Sequence, residues 1–143
     1  MLEGYRISTK LEEMDLSFIH GFLTESPWAK GISREAVEEA IKHSLCFAVF
    51  TDDGEQIGFG RAISDYTTFA FLGDGFIKEE HRGTGLSKWV MQEMTNHPKL
   101  QGVRRSLIAT VEAHGLYEKF GFKTIAKPEY LIEKWNWQAY KQS

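Results

Sequence analysis

The segment His81-Arg82-Gly83-Thr84-Gly85-Leu86-Ser87 lies between an apolar run, Phe69 to Ile77, and a helix-like stretch, Leu86 to Met94. A strand, a turn rich in glycine and a helix are therefore expected to follow one another directly. Glycines at 83 and 85 can adopt positive φ and carry no Cβ, so successive backbone N–H groups can point at one anion where the helix starts. This order of elements predicts a phosphate-binding loop.

Two common phosphate-binding patterns do not fit this segment. A P-loop requires a Lys-Ser or Lys-Thr pair after its last glycine, whereas Leu86 follows Gly85 here. A dinucleotide-binding fingerprint requires a third glycine, and this chain has Lys88 in that place. The pattern that remains is Arg82-Gly83-Thr84-Gly85 followed by a helix.

This remaining pattern resembles the acyl-CoA pyrophosphate loop of the GNAT superfamily of N-acetyltransferases. Arg82, Gly85 and Ser87 occupy the fixed positions of that loop, and Ser87 stands where the family usually has Gly or Ala. Downstream, Ala113 to Phe122 resembles the family segment in which a short helix carrying a tyrosine leads into a Gly-Phe strand start. Two motifs in the family's order are more specific than either motif alone.

The resemblance implies an α+β fold, with a mixed, mainly antiparallel sheet of about six or seven strands flanked by about four helices. The strand before the phosphate loop and the strand after its helix are expected to run parallel and to splay apart. Because the length suits one hydrophobic core, residues 1–143 are expected to form a single domain.

The hydrophobic patterns and the breakers along the chain predict elements in the same order. Strands are expected at Gly4 to Ser8, Leu45 to Phe50, Gln56 to Ile63, Thr67 to Ile77, Ser106 to Thr110 and Phe122 to Ala126, with a further candidate at Tyr130 to Glu133. Helices are expected at Leu11 to Leu23, after an N-cap at Ser33, at Leu86 to Met94 and at Ala113 to Phe120.

The composition argues against several classes of protein. The chain has 17 basic and 20 acidic residues with both signs interspersed, so neither a nucleic-acid nor a membrane surface is predicted. A single cysteine, Cys46, excludes an internal disulfide and a Cys-based zinc site, and we expect no metal. Cys46 stands in an apolar run and is expected to be buried as a small hydrophobe. The first ten residues resemble neither a signal peptide nor a membrane span, which favours a cytoplasmic protein.

The resemblance implies that acetyl-CoA is the cosubstrate. Its pyrophosphate would lie on the backbone of the loop formed by Arg82, Gly83, Thr84, Gly85, Leu86 and Ser87. Its pantetheine arm would pair with the backbone of Phe76 and Ile77 as an added strand does. Gly73 and Gly75 either bend that strand or mark a bulge, and a bulge would free an N–H near Gly75 to polarise the thioester carbonyl.

Tyr117 matches the family tyrosine and is the candidate general acid. An unperturbed phenol titrates near about 10 and an alkyl thiol near about 8.5, so the phenol can protonate a departing thiolate. Asp74 is the first candidate for a general base, because a carboxylate in an apolar strand requires a partner or a role. Hydrogen bonding of Asp74 to local backbone is the alternative. Glu112 and His114 are further base candidates, and some family members rely on water.

The acceptor site is expected from the first two helices and the loop between them. Trp28, on that loop, either covers a substrate cation or ring or fills a gap above the sheet. The expected function is transfer of an acetyl group from acetyl-CoA to the primary amine of a small molecule, by direct attack in a ternary complex. A CoA-binding sensor without turnover and a protein lysine or N-terminal acetyltransferase stay open as alternatives. The resemblance also leaves room for a homodimer. The aromatic C-terminal segment 133–140 is either an interface or a flap over the sheet edge.

Overall fold

A computed structural model of the chain describes residues 2–110 and 114–140. The strands are β1 (Tyr5–Ser8), β2 (Leu45–Thr51), β3 (Gln56–Ser64), β4 (Phe69–Ile77) and β5 (Arg105–Ile108). The α-helices are α1 (Leu16–Leu23), α2 (Arg34–Lys42), α3 (Leu86–Asn96) and α4 (His114–Glu118). Short 3-10 helices lie at Leu11–Glu13, Glu79–His81, Pro98–Leu100 and Pro128–Tyr130.

The strands form one mixed sheet in the order β1-β2-β3-β4-β5. The pairings from β1 to β4 are antiparallel, whereas β4 and β5 run parallel with α3 between them in the chain. The α+β class and the parallel pair around the phosphate loop are thereby confirmed.

The described residues hold five strands rather than six or seven. Residues 122–125, predicted as part of a strand, have no regular structure, and residues 131–133 are likewise irregular. The half-buried side chains in the first of these segments, Phe122 and Ile125, are three positions apart. Because a strand presents every second residue to one face, this spacing provides no apolar strand face.

Capping side chains set the starts of α1 and α2. Asp15 adopts extended backbone angles and its carboxylate accepts a hydrogen bond from Phe18 N at 3.0 Å. The helix predicted from Leu11 therefore divides into a 3-10 turn and α1. Ser33 caps α2 as predicted, since its Oγ accepts from Ala36 N at 3.1 Å.

Helices cover both faces of the sheet. Neighbouring residues of β2, Cys46 and Phe47, belong to different core clusters, as expected of successive side chains in a strand. One cluster joins α3 to the sheet and includes Phe47, Val49, Ile57, Leu72, Val90 and Met94. The other joins α1 and α2 to the sheet and includes Ile19, Leu23, Val37, Ile41, Phe59 and Phe76.

Gly60 lets α3 approach β3 closely. A Cβ atom on Gly60 would lie 3.0 Å from the Met94 sulfur and 3.2 Å from a Val90 methyl carbon. Both distances are shorter than ordinary van der Waals contact, so the missing side chain fixes the depth at which α3 sits on the sheet. The start of α3, which follows the phosphate loop, is placed by this contact.

Gln56 connects the start of α1 to the sheet. Its buried side-chain amide accepts a hydrogen bond from Asp15 N at 2.7 Å and donates one to the Gly58 carbonyl at 3.1 Å. A buried polar group is favourable only with such partners. This amide therefore positions α1 above the sheet.

We predict that Gln56→Leu lowers the free energy of unfolding by about 1–3 kcal/mol, because it leaves the Asp15 N–H without its partner. The matched control is Gln92→Leu, the same change on the exposed surface of α3, which should stay within about 0.5 kcal/mol of wild type. Urea denaturation measures both. Equal stability of the Gln56 variant and the wild type would contradict the role of this amide.

Candidate functional site

β4 contains a bulge opposite β3. Arg61 pairs with Gly73 and Phe59 pairs with Phe76, so β4 has one more residue than β3 between these pairs. This confirms the bulge, one of the two structures that the glycines of β4 allow. The residue in the left-handed conformation is not a glycine but Asp74, with φ at 55°. Asp tolerates this conformation better than most residues, at a cost of about 1–2 kcal/mol.

Two side chains from other elements hold the Asp74 carboxylate. Arg61 Nε donates to Oδ2 at 2.7 Å, and Trp28 Nε1 donates to Oδ1 at 2.8 Å. The Arg61 guanidinium also donates to Ser44 Oγ at 3.1 Å. The Arg61 and Asp74 side chains are 19% and 14% exposed, so water screens this ion pair less than a surface pair. These bonds offset the backbone strain and fix the direction in which the carboxylate points.

Beyond Leu72 the two parallel strands separate. Their pairing runs from Phe69 opposite Arg105 to Leu72 opposite Ile108, where β5 ends, whereas β4 continues to Ile77. Within the described residues, the last part of β4 thus has no strand partner on this side. The unpaired backbone groups require another partner, such as water or a ligand amide.

We call the space beside residues 73–77, where β5 has ended, the gap. The hydrogen bonds between β3 and β4 show which backbone groups of β4 face it. Lys78 N donates to Ile57 O at 2.7 Å, and pairs bonded in this way alternate along an antiparallel ladder. Phe76 therefore directs its backbone groups toward β3, and Ile77 directs its own away from β3. Ile77 O accepts a hydrogen bond from Arg82 Nε at 2.8 Å. The Arg82 side chain thus joins the end of β4 to the start of the phosphate loop.

The loop has the conformation that its glycines allow. Gly83 and Gly85 have φ of 83° and 88°, and Gly85 is the N-cap residue of α3. A Cβ atom on either glycine would have nothing within 4 Å, so the space in front of the loop is open. The first helical hydrogen bond of α3 is donated by Trp89 N, to Gly85 O. The preceding amides lie at the positive end of the helix dipole and can bind a diphosphate.

Side chains around the loop anchor it to the rest of the sheet. The Leu86 side chain is buried in the core, whereas Ser87 is exposed. Thr84 Oγ1 donates to the His81 carbonyl at 3.1 Å, and the His81 ring is hydrogen-bonded to the Tyr5 hydroxyl at 2.8 Å. The loop is therefore attached at both of its ends, which reduces the entropy lost when it binds an anion.

Tyr117 lies on α4 and packs against the core cluster on the α3 face of the sheet. Its ring meets the Phe122 ring edge to face, with centroids 6.3 Å apart. Burial raises the pKa of the Tyr117 phenol above its ordinary value, so the hydroxyl is protonated at neutral pH. Glu112 and the side chain of His114, the other candidate bases, lie outside the described residues.

A cavity of about 230 Å³ lies between the first two helices and the sheet. Trp28, Arg61, Asp74 and Tyr140 line it, together with apolar side chains of α1, α2 and the loop between them. The structure therefore brings together Trp28 and Asp74, which were singled out separately in the sequence. Arg61 was missed, although an arginine inside an apolar strand signals a buried acidic partner. Tyr140 was noted in the sequence only as part of the aromatic segment 133–140, because its place at the cavity depends on the path of the C-terminal segment.

A row of aromatic rings connects this cavity to β4. The Trp28 side chain is half exposed, and its ring centroid lies 6.1 Å from that of Phe22. Phe22 in turn stacks on Phe76 with centroids 3.8 Å apart. Trp28 is thus supported from below by packed rings while its indole N–H reaches the carboxylate.

The surroundings of Cys46 do not favour a nucleophilic role. Its side chain is 1% exposed, as expected for a small hydrophobe. Burial raises the pKa of the thiol to about 12, so the reactive thiolate is scarcely populated.

In the described ranges there is neither a group of three side chains able to hold a metal ion nor a helix long and apolar enough to cross a membrane.

Comparison with known proteins agrees with this arrangement. Residues 11–141 match the family model of the acetyltransferase (GNAT) domain. A candidate acetyltransferase from Gibberella zeae is 27% identical, and the match covers 80% of this chain and 76% of that protein.

Solved structures of two candidate acetyltransferases have the same fold. A GNAT-family protein from Xanthomonas campestris pv. campestris is 45% identical, with a TM-score of 0.91, and the match covers 96% of this chain and 97% of that one. A predicted acetyltransferase with acetyl-CoA from Clostridium acetobutylicum is 13% identical, with a TM-score of 0.64 over 91% of this chain and 94% of that one. The chain belongs to the GNAT family of acetyltransferases.

Proposed function

We propose that this chain is an N-acetyltransferase that moves the acetyl group of acetyl-CoA to the primary amine of a small molecule. The observation that supports the proposal most is the conformation of the phosphate loop at the start of α3. Gly83 and Gly85 are left-handed there, and a Cβ atom on either would have nothing within 4 Å. This loop adjoins the gap where β4 has lost its parallel partner. An anion site beside an unpaired strand suits a ligand that carries both a diphosphate and amides.

The residues that would hold acetyl-CoA fall into two groups. The amides of residues 83–87 would hold the diphosphate, since the space that a Cβ would fill at the two glycines is empty. The backbone of Ile77, which faces the gap, would pair with the pantetheine amides, and the bulge near Gly75 would supply an N–H to the thioester carbonyl. The structure of the Clostridium acetobutylicum protein with acetyl-CoA supports acetyl-CoA as the ligand.

Acetyl-CoA, when bound, supplies an activated acetyl group as a thioester. In the proposed reaction the neutral amine nitrogen bonds to the carbonyl carbon, and the C–S bond breaks. Tyr117 donates its proton to the departing sulfur, and its raised pKa means that this proton is present at neutral pH. Asp74 accepts the proton that the nitrogen loses. A carboxylate offers about four lone-pair positions, of which Arg61 and Trp28 occupy one on each oxygen.

The cavity lined by Trp28 and Asp74 is the proposed acceptor site. Its volume of about 230 Å³ suits a small molecule better than an extended peptide. Asp74 belongs both to this cavity and to the bulge of β4, so an amine in the cavity would lie beside the strand that holds the thioester. This shared residue supports direct transfer from one substrate to the other.

We predict that Gly85→Val weakens acetyl-CoA binding by about 10- to 100-fold, because one or two charge-assisted hydrogen bonds of the loop are lost. The matched control is Gly54→Val, at a hairpin turn with φ at 89° and open space around it. Both variants bear the same backbone strain, but only the first obstructs the loop. Isothermal titration calorimetry measures both dissociation constants. Equal weakening in the two variants would contradict the proposed diphosphate site.

Tyr117→Phe is expected to lower kcat by about 100-fold while leaving acetyl-CoA affinity unchanged, because only the transferable proton is removed. Turnover is measured by release of free thiol over pH 6–9, a range in which the raised pKa keeps the wild-type phenol protonated. Tyr130→Phe, a change on an exposed ring, is the control. A Tyr117→Phe variant with the wild-type kcat would contradict the general-acid assignment. A wild-type protein that binds acetyl-CoA tightly but shows no turnover would favour the CoA-binding sensor.

A further inference from the structure

We infer that the acceptor is a compact, largely apolar primary amine, selected by a cavity whose lining includes Tyr140 of the C-terminal turn. This inference rests on the proposed function, since it names the substrate class of the same site. It depends on three features of the cavity: the chemistry of its wall, its size, and the docking of the C-terminal turn against it.

Most of the residues that line the cavity have hydrocarbon side chains. Hydrocarbon side chains come from α1, from the following loop and from α2; they include Leu23, Ala29, Ile32, Val37, Ala40 and Ile41. The polar side chains Arg61, Asp74 and Trp28 already hydrogen-bond to one another, so a sugar or a phosphorylated amine would lose its hydration and gain few new partners. An alkyl or arylalkyl chain would gain free energy from the same burial. The wall thus favours an apolar body attached to the amine.

The charged side chains of the cavity neutralise each other, so a second charged group on the acceptor would have no partner there. Arg61 and Asp74 are its charged side chains, and they pair with each other at 2.7 Å. A polyamine would place an additional unpaired ammonium against the apolar wall, which is strongly unfavourable. Because Arg61 already balances the carboxylate, the site also stabilises an ammonium less than a lone Asp would. This favours the neutral amine, which is the form that attacks the carbonyl carbon.

The size of the cavity limits the length of the apolar part of the acceptor. Its volume of about 230 Å³ is below the range of about 300–1,000 Å³ that is common for drug-sized ligands. An amine with a short alkyl chain or one aromatic ring is therefore the appropriate class. Trp28, held by its bond to Asp74, provides an aromatic surface for such a group.

Tyr140 reaches this cavity through a close contact with the loop between α1 and α2. Gly31 has φ of 84°, and a Cβ atom there would lie 3.0 Å from the Tyr140 carbonyl oxygen. The missing side chain therefore allows the C-terminal turn to rest on this loop, with Tyr140 lining the cavity. The C-terminal turn completes an acceptor site otherwise built from the two helices and the sheet.

The test compares amines and variants on the full chain. Turnover is measured with 2-phenylethylamine and n-pentylamine against glucosamine 6-phosphate and spermidine. We expect kcat/KM to be at least about tenfold higher for the two apolar amines, about 1.4 kcal/mol in transition-state binding. Higher kcat/KM for either polar amine would overturn the inference while leaving acetyl transfer itself intact.

Variants of the wall supply a readout that does not depend on turnover. Binding of 2-phenylethylamine to the CoA-saturated protein is measured by calorimetry for Tyr140→Ala and Gly31→Ala. Gly4→Ala is the control, because Gly4 has φ of 87° and nothing within 4 Å of an added Cβ. Both wall variants should bind the amine about tenfold more weakly or worse, with unchanged affinity for CoA and an unaffected control. Absent binding to the wild type, or equal binding by all variants, would overturn the inference, whereas binding without turnover would count against the proposed reaction alone.

Discussion

The arrangement of the site depends on the incomplete pairing of β4. This strand pairs with β3 along its length but loses β5 after Leu72, and backbone groups left in this way require a partner. The bulge lies in the unpaired part, and Arg82 closes its end by binding the Ile77 carbonyl. The gap and the bulge therefore lie on the last part of β4, and the predicted phosphate loop follows it in the chain.

The bulge links the two halves of the site. On one side its extra residue disturbs the ladder next to the gap; on the other it turns the Asp74 carboxylate toward the helices, where Arg61 and Trp28 hold it. A left-handed aspartate is strained, and its two hydrogen bonds supply the compensation. Strand geometry and cavity chemistry are thus coupled through a single residue, which explains why an acidic side chain occupies an otherwise apolar strand.

Local patterns were sufficient to predict much of this structure. The loop glycines, the Ser33 cap and the burial of Cys46 each follow from rules that act within a few residues. The glycines of β4 left a bulge as one of two possibilities, and the structure has the bulge. Tertiary partners were harder to predict. The bond from Trp28 to Asp74 spans 46 positions, and Tyr140 meets Gly31 only because the C-terminal segment folds back. The strand expected at 122–126 is absent because its half-buried residues, Phe122 and Ile125, are three positions apart and give no apolar strand face.

The most direct measurement of the central claim is a titration of ¹⁵N-labelled protein with CoA, followed through the backbone amide resonances. The account predicts that the amides of Gly83, Gly85, Leu86 and Ser87 show the largest changes and saturate together with those of Ile77, which faces the gap. A response confined to the cavity of Trp28 and Tyr140, with the loop amides unmoved, would contradict the assignment of this loop as the diphosphate site.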